Sequence, residues 1–176
     1  MPRIIRPAEE ADIYAMPALR ARRSQTELFW TDRIDRYFRG EHSPQQALSA
    51  RVGFVAIDRG EVQGFVAGHL TRRFGCEGEL QWIDVAGHAQ RQGIGYELIT
   101  QIGAWFVEQN AVRVCVNVDP NNTAARRLYT RCGARQLSKF WMIWNDARVM
   151  ATNHRVDNTP PGTLRMAQLV RQRGLK

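Results

Sequence analysis

The stretch "VAGHAQRQGIGYELI", Val85 to Ile99, decides how this chain is read. It leaves an apolar, strand-like segment and enters a helix-like one. Between them stand Gln90, Arg91, Gln92, Gly93, Ile94 and Gly95. Two glycines, a cluster of amide and guanidinium groups and a helix start in one place suit an anion, most often a phosphate. The first N–H groups of a helix have no intrahelical acceptor, and the helix dipole adds positive potential there. Glycines at 93 and 95 let the backbone approach a ligand closely. Spacing excludes two common phosphate loops. No Lys-Ser or Lys-Thr follows these glycines, as a P-loop needs, and Leu98 stands where a dinucleotide fingerprint has its third glycine.

Downstream of the loop, Ile94, Leu98, Ile99, Ile102, Trp105 and Phe106 form a helical stripe. In "VRVCVNV", Val112, Val114, Val116 and Val118 alternate with period two, as one face of a strand does. "DPNNTAARRLYTRCG" returns to helical spacing, with Gly133 as its stop. "RQLSKFWMIWN" reads as one last strand. Upstream, residues 3–6 read as an edge strand. Two amphipathic helices follow, within "PAEEADIYAMPALRARR" and "TDRIDRYFRG", and "SPQQALSARV" reads as a further short helix. "VGFVAID", "VQGFVAGHLTRRF" and "ELQWIDVA" are strands joined by short turns, which implies an antiparallel meander. The expected architecture is α/β: a mixed sheet, meander plus parallel βαβ unit, flanked by helices in one domain over residues 1–146. Residues 147–176 read as a C-terminal extension: a turn at "DNTPPG", then a short basic amphipathic helix capped by Thr163. That helix is expected to dock on its own domain or on a second subunit, as in a homodimer.

A chain of 176 residues with a net charge of +8 suits an anionic partner. The arginines are scattered without a dense basic block, so a nucleic acid is not the expected partner. Cys76, Cys115 and Cys132 are odd in number and lack metal-ligand spacing, so they read as reduced thiols of a cytoplasmic protein with no metal site. No run is long enough to span a bilayer, and no membrane partner is expected. Asn121-Asn122-Thr123 matches a glycosylation sequon, which carries no meaning without secretion.

The pattern Gln90-x-x-Gly93-x-Gly95, between a strand and a helix, resembles the acyl-CoA loop of the GNAT superfamily of N-acetyltransferases. A second family block, N-x-x-A-x-x-L-Y-x-x-x-G, is matched by Asn122, Ala125, Leu128, Tyr129 and Gly133. The resemblance covers roughly residues 3–145. It departs at Gly87, where the family often has Pro, and at Ala134, where it usually has Phe. The resemblance implies acetyl-CoA as co-substrate, with no metal, and transfer to an amine by direct attack in a ternary complex. It implies that strands 79–86 and 112–118 splay apart around the pantetheine arm, with a backbone N–H near Val85 polarising the thioester carbonyl. The pyrophosphate then meets Gln90, Arg91, Gln92, Gly93, Ile94, Gly95 and Tyr96. Asn122 and Ala125 lie against the arm, although Asn122 equally suits a helix cap.

A lysine-like amine has a pKa near 10.4 and must lose a proton before attack. The resemblance puts Glu79 forward as the base, against a plain exposed turn residue. Asp84 is the second candidate, and strand alternation predicts that it faces away from Glu79. Tyr129 matches the family's general acid, while its place on an apolar stripe also suits core packing. The acceptor site would draw on the first two helices and the later strands. Phe29, Trp30, Trp141 and Trp144 are candidates for an aromatic wall, and Arg72 and Arg73, one on each strand face, for an acceptor carboxylate. His69 and His88 read as surface or hydrogen-bonded residues, and Cys115 and Cys132 as buried apolar ones. A rival function is a non-catalytic acyl-CoA-binding module that acts through a partner.

Overall fold

A computed structural model describes residues 2–21 and 25–152. The chain begins with strand β1 (Ile4–Pro7), a 3-10 turn (Glu10–Tyr14) and helices α1 (Met16–Ala21) and α2 (Glu27–Phe38). The antiparallel meander follows as β2 (Ala47–Asp58), β3 (Glu61–Thr71) and β4 (Gly78–Val85). Then come α3 (Ile94–Glu108), β5 (Val114–Asn117), α4 (Thr123–Arg131), β6 (Arg135–Gln136), β7 (Trp141–Trp144) and α5 (Ala147–Ala151). One seven-stranded sheet runs in the order β1-β2-β3-β4-β5-β7-β6, with β4 and β5 parallel and every other pair antiparallel. This is the mixed α/β sheet that the sequence predicts.

Three local expectations are corrected. Residues 47–52 are the start of β2, not part of a helix: Ala47 pairs with Thr71 and Arg51 with His69. Pairing with β3 outweighs the weak helical spacing there. The last strand is two, β6 and β7, because the chain turns back over Ser138–Phe140 and Arg135 pairs with Ile143. Ala147–Ala151, assigned to the extension, pack across α3 at Gly103 and bury Met150. The expected tail helix lies outside the described residues.

The sheet separates two helical layers. α3 lies on one face, its Ile94, Leu98, Ile102 and Phe106 reaching Gly64 and Gly68 of β3. α1 and α2 cover the other face, where Trp30 and Tyr37 meet Trp82 edge-on or tilted at 6.0 and 4.9 Å. Most of the apolar core lies in these two layers.

The turn after β1 is held by a buried carboxylate. Asp12 accepts from both terminal nitrogens of Arg6, at 2.6 and 3.0 Å, and from the Glu9 N–H at 2.8 Å. Burial pushes its pKa up, but the Arg6 and Glu9 hydrogen bonds together with the Arg6 charge outweigh it, and the carboxyl lies below its ordinary 3.8. A lowered folded pKa contributes stability that is fully present above pH 3.8 and is lost as pH falls through the folded value. Asp12→Asn should therefore destabilise the domain at pH 7, with a deficit that narrows in acid below about pH 4. Chemical denaturation of both proteins across that range checks this; a pH-independent deficit would contradict it.

Candidate active site

β4 and β5 pair at only three positions, Gly78 with Val114, Glu79 with Cys115 and Leu80 with Val116. β4 then continues to Val85, while the end of β5 turns toward β7. There the Val118 N–H and the Asn117 amide both donate to the Phe140 carbonyl, at 2.8 and 3.2 Å. A wedge opens between residues 81–85 and 117–118.

The loop at residues 90–96 closes the wide end of this wedge. Gln90 donates to the Val85 carbonyl at 3.2 Å and Gln92 to the His88 carbonyl at 3.2 Å, so both amides brace the loop. Arg3 ties it to β1, donating to the Gln92 carbonyl at 3.0 Å and to the Glu97 carboxylate at 2.6 and 2.9 Å. Gly93, at φ 84°, is the N-cap of α3 and offers no side chain to it. The first backbone bond of the helix is Glu97 N–H to Gly93 O at 3.1 Å. The N–H groups of Ile94, Gly95 and Tyr96 thus have no backbone acceptor among the described residues, in a loop where a Cβ on Gly93 would meet nothing within 4 Å. Arg91 is exposed beside them.

The two glycines divide the work expected of both. Gly93 supplies the left-handed turn and the open approach. A Cβ on Gly95 would stand 2.8 Å from Leu128, so this glycine serves the contact between α3 and α4. Asn122 caps α4, its Oδ1 accepting from the Ala125 N–H at 3.2 Å. Tyr129 is 4% exposed and lies edge-on to Trp144 at 5.5 Å, on the α3 face of the sheet.

The carboxylates differ from expectation. Gly68 pairs with Leu80 but Ala67 with Trp82, which leaves Gln81 as a β-bulge. The extra residue inverts the alternation. Glu79, opposite His69, and Asp84, opposite Phe65, therefore share one face, the one under α1 and α2. Glu79 is buried, with a side chain 5% exposed. Its Oε2 accepts from Arg73 Nε at 3.1 Å and Thr71 Oγ1 at 3.3 Å, and lies 3.6 Å from His69 Nε2. Asp84 is buried too and accepts from Arg20 at 2.7 Å. The Arg20 guanidinium lies 4.3 Å from the Trp30 ring centre, which supports it from below.

The residues expected at the acceptor site fall in two groups. Half-exposed Phe29 stands edge-on to buried Trp30 at 5.1 Å, at the start of α2. Trp141, opposite Asn117, lies 4.7 Å from the Arg73 guanidinium and 5.0 Å from Phe74. Trp144 is not part of this wall: it pairs with Val114 on the other face, and its indole N–H donates to the Cys132 carbonyl at 3.0 Å. Arg72 is exposed just past β3, whereas Arg73 folds back onto Glu79 and the Gln45 carbonyl, so the pair does not straddle a strand. Trp82, Tyr37, Arg20 and Phe74 join the site without having been picked out. Trp82 and Asp84, two residues apart, share a face of β4, and the bulge at Gln81 is what puts Glu79 on that same face. Cys115 and Cys132 are buried thiols. Contact with Cys76 and burial push Cys115 far up, and burial pushes Cys132 up to about 12, which suits neither as a nucleophile.

Comparison with known proteins places this geometry. The family model for the acetyltransferase (GNAT) family matches residues 13–134. A search of curated proteins finds no match. Among solved structures, a GNAT-family protein from Desulfovibrio desulfuricans superposes with a TM-score of 0.67 at 14% identity, covering 82% of this chain and 99% of its own. Ard1 from Thermoplasma volcanium gives 0.66 at 20% identity, covering 82% and 97%. The PaiA N-acetyltransferase from Thermoplasma acidophilum, in complex with coenzyme A, gives 0.62 at 13% identity, covering 82% and 99%. The sheet order and the family match over most of the chain lead to one conclusion: this protein belongs to the GNAT acetyltransferase family.

Proposed function

We propose that this chain transfers an acetyl group from acetyl-CoA to a primary amine, by direct attack in a ternary complex. The observation that carries this reading is the wedge between β4 and β5, which has an uncapped helix start at one end and a buried carboxylate on the acceptor face of β4.

The N–H groups of Ile94, Gly95 and Tyr96 suit the pyrophosphate, and the positive end of α3 favours it. Arg3 neutralises Glu97, the one acidic side chain in the first turn, which would otherwise repel a phosphate. The edge of β4 at residues 81–85 offers backbone groups to the amide-bearing arm, and a backbone N–H near Val85 polarises the thioester carbonyl. Asn122 keeps its amide N–H groups for the arm while its oxygen caps α4. Glu79 takes the proton of the incoming ammonium through Oε1, the oxygen that none of its contacts among the described residues uses. Tyr129 returns a proton to the leaving thiolate. Asp84, already paired with Arg20, shapes the acceptor entrance together with Phe29, Trp30, Trp141 and the exposed Arg72.

Excess acetyl-CoA at about 100 times its dissociation constant should stabilise the fold by roughly 2.7 kcal/mol. Gly93→Glu should abolish that gain, since it puts a side chain and a negative charge into the open loop at a φ that favours glycine. Thermal denaturation measures both. Thiol release against a panel of primary amines then tests turnover. Stabilisation with no turnover on any amine would support a non-catalytic acyl-CoA module instead. No stabilisation at any concentration would overturn the reading.

A further inference from the structure

His69 plays no part in the reaction just described, yet it is fully buried and stands beside the proposed base. It lies on β3 directly opposite Glu79. Its Nδ1 is 2.9 Å from the Tyr37 hydroxyl, and its Nε2, which has no hydrogen-bond partner among the described residues, faces Glu79 Oε2 at 3.6 Å. Tyr37 is equally buried, and burial pushes its phenol far above the ordinary value, so the hydroxyl keeps its proton.

A buried hydroxyl needs an acceptor, and His69 Nδ1 is the one within reach of Tyr37 among the described residues. That assignment leaves the ring hydrogen on Nε2, aimed at the carboxylate. We propose that Tyr37 and His69 form a directed chain of donors that positions Glu79. Tyr37 O–H donates to Nδ1, and Nε2–H points at Oε2 from 3.6 Å, on the oxygen that Arg73 already holds. The Thr71 hydroxyl has one proton, shared between Oε2 at 3.3 Å and the Gln46 carbonyl at 3.2 Å, so Arg73 and the imidazole are the donors that hold the carboxylate in one rotamer and leave Oε1 to receive the ammonium proton. Hydrogen bonds at a site of this kind are commonly long before substrate is bound and tighten in the complex. The charged and titratable groups around the ring are Glu79 from β4, Arg73 beyond the end of β3, Tyr37 from α2, and Arg51 of β2, whose guanidinium lies 4.7 Å from the Tyr37 ring centre. His69 is a positioning residue in this scheme: it touches neither substrate.

The inference rests on the proposed role of Glu79, and its test separates the two. Steady-state kinetics with a good amine would be followed from pH 5 to 10 for Tyr37→Phe, His69→Leu, His69→Gln and Glu79→Gln. His69→Leu should lower kcat at least tenfold with little change in KM. Loss of a donor to the carboxylate should move the acidic limb of kcat/KM to higher pH. His69→Gln, whose amide can still donate to Oε2, should restore much of the rate. Tyr37→Phe frees the tautomer and should fall between them; it also carries the test if His69→Leu does not fold. Unchanged acidic limbs in Tyr37→Phe and in whichever His69 variants fold, or equal losses in both His69 variants, would overturn the proposal while leaving Glu79 in place. A silent Glu79→Gln would remove the base itself, and the positioning role with it.

Discussion

Glu79→Gln should lower kcat at pH 7 by about 10²- to 10⁴-fold, the usual contribution of a positioned general base. Gln keeps the size of the side chain and leaves an oxygen for Arg73 and Thr71. The fold, the acetyl-CoA stabilisation and the KM for the amine should therefore change little. The effect should also depend on pH in a particular way. Below the amine's pKa, near 10.4 for a lysine-like group, each attack requires a proton to be taken. Above it the acceptor arrives neutral, and the deficit of the variant should shrink. Rate profiles of the two enzymes from pH 7 to 10.5 measure this convergence. A constant deficit would mean that Glu79 matters for binding or packing and not for proton removal. No deficit at all would leave the proton to Asp84 or to water.

Gly68→Ala should destabilise the domain by about 1–3 kcal/mol and lower activity with it. Gly68 is the β3 residue opposite Leu80, at the bulge. A Cβ there would stand 2.8 Å from Ile102 Cδ1, 3.1 Å from Phe106 and 2.9 Å from the Glu79 carbonyl oxygen. The first two contacts can yield by rotation of flexible side chains. The third is backbone, so β4 itself must shift at the residue that carries the proposed base. A displacement of about 1 Å can cost a hundredfold in rate by spoiling a near-attack geometry. Ile102→Val in the Gly68→Ala background should restore part of the stability, because it removes Cδ1, but little of the rate, because the backbone contact remains. Denaturation and kcat measured on the single and double variants would show it. Full recovery of both would place the strain in the α3 contact alone.

The legible and illegible parts of this protein differ in physical range. The α3 stripe from Ile94 to Phe106 could be read because helical burial repeats every three or four residues and needs no knowledge of a partner. The loop from Gln90 to Gly95 could be read because glycine and an uncapped helix start are local properties, and so could Asn122 and Gly133 as the ends of α4. The start of β2 could not. Residues 47–51 carry no strand alternation, and they become strand only because β3 is long enough to pair with them. The turn at Ser138–Phe140 was hidden for a similar reason: two residues of β6 hold together only against β7.

The site shows the same division more sharply. The sequence by itself determined the α/β order and the glycine loop at a helix start, because these depend on residue type and spacing along the chain, and it supplied the motif blocks and candidate carboxylates on which the family resemblance rests. Only the tertiary structure decided which of these residues meet. One extra residue at Gln81 brings Glu79 and Asp84 to a common face. Pairing with Val114 sends Trp144 to the opposite layer, and Arg73 is spent on Glu79 and not left for a ligand. His69 and Tyr37, 32 residues apart, become neighbours of the proposed base. A strand's register is set by hydrogen bonds to a distant partner, and a slip of one residue exchanges its two faces. No local pattern records that choice, so the chemistry of this site became legible only when the strands were paired.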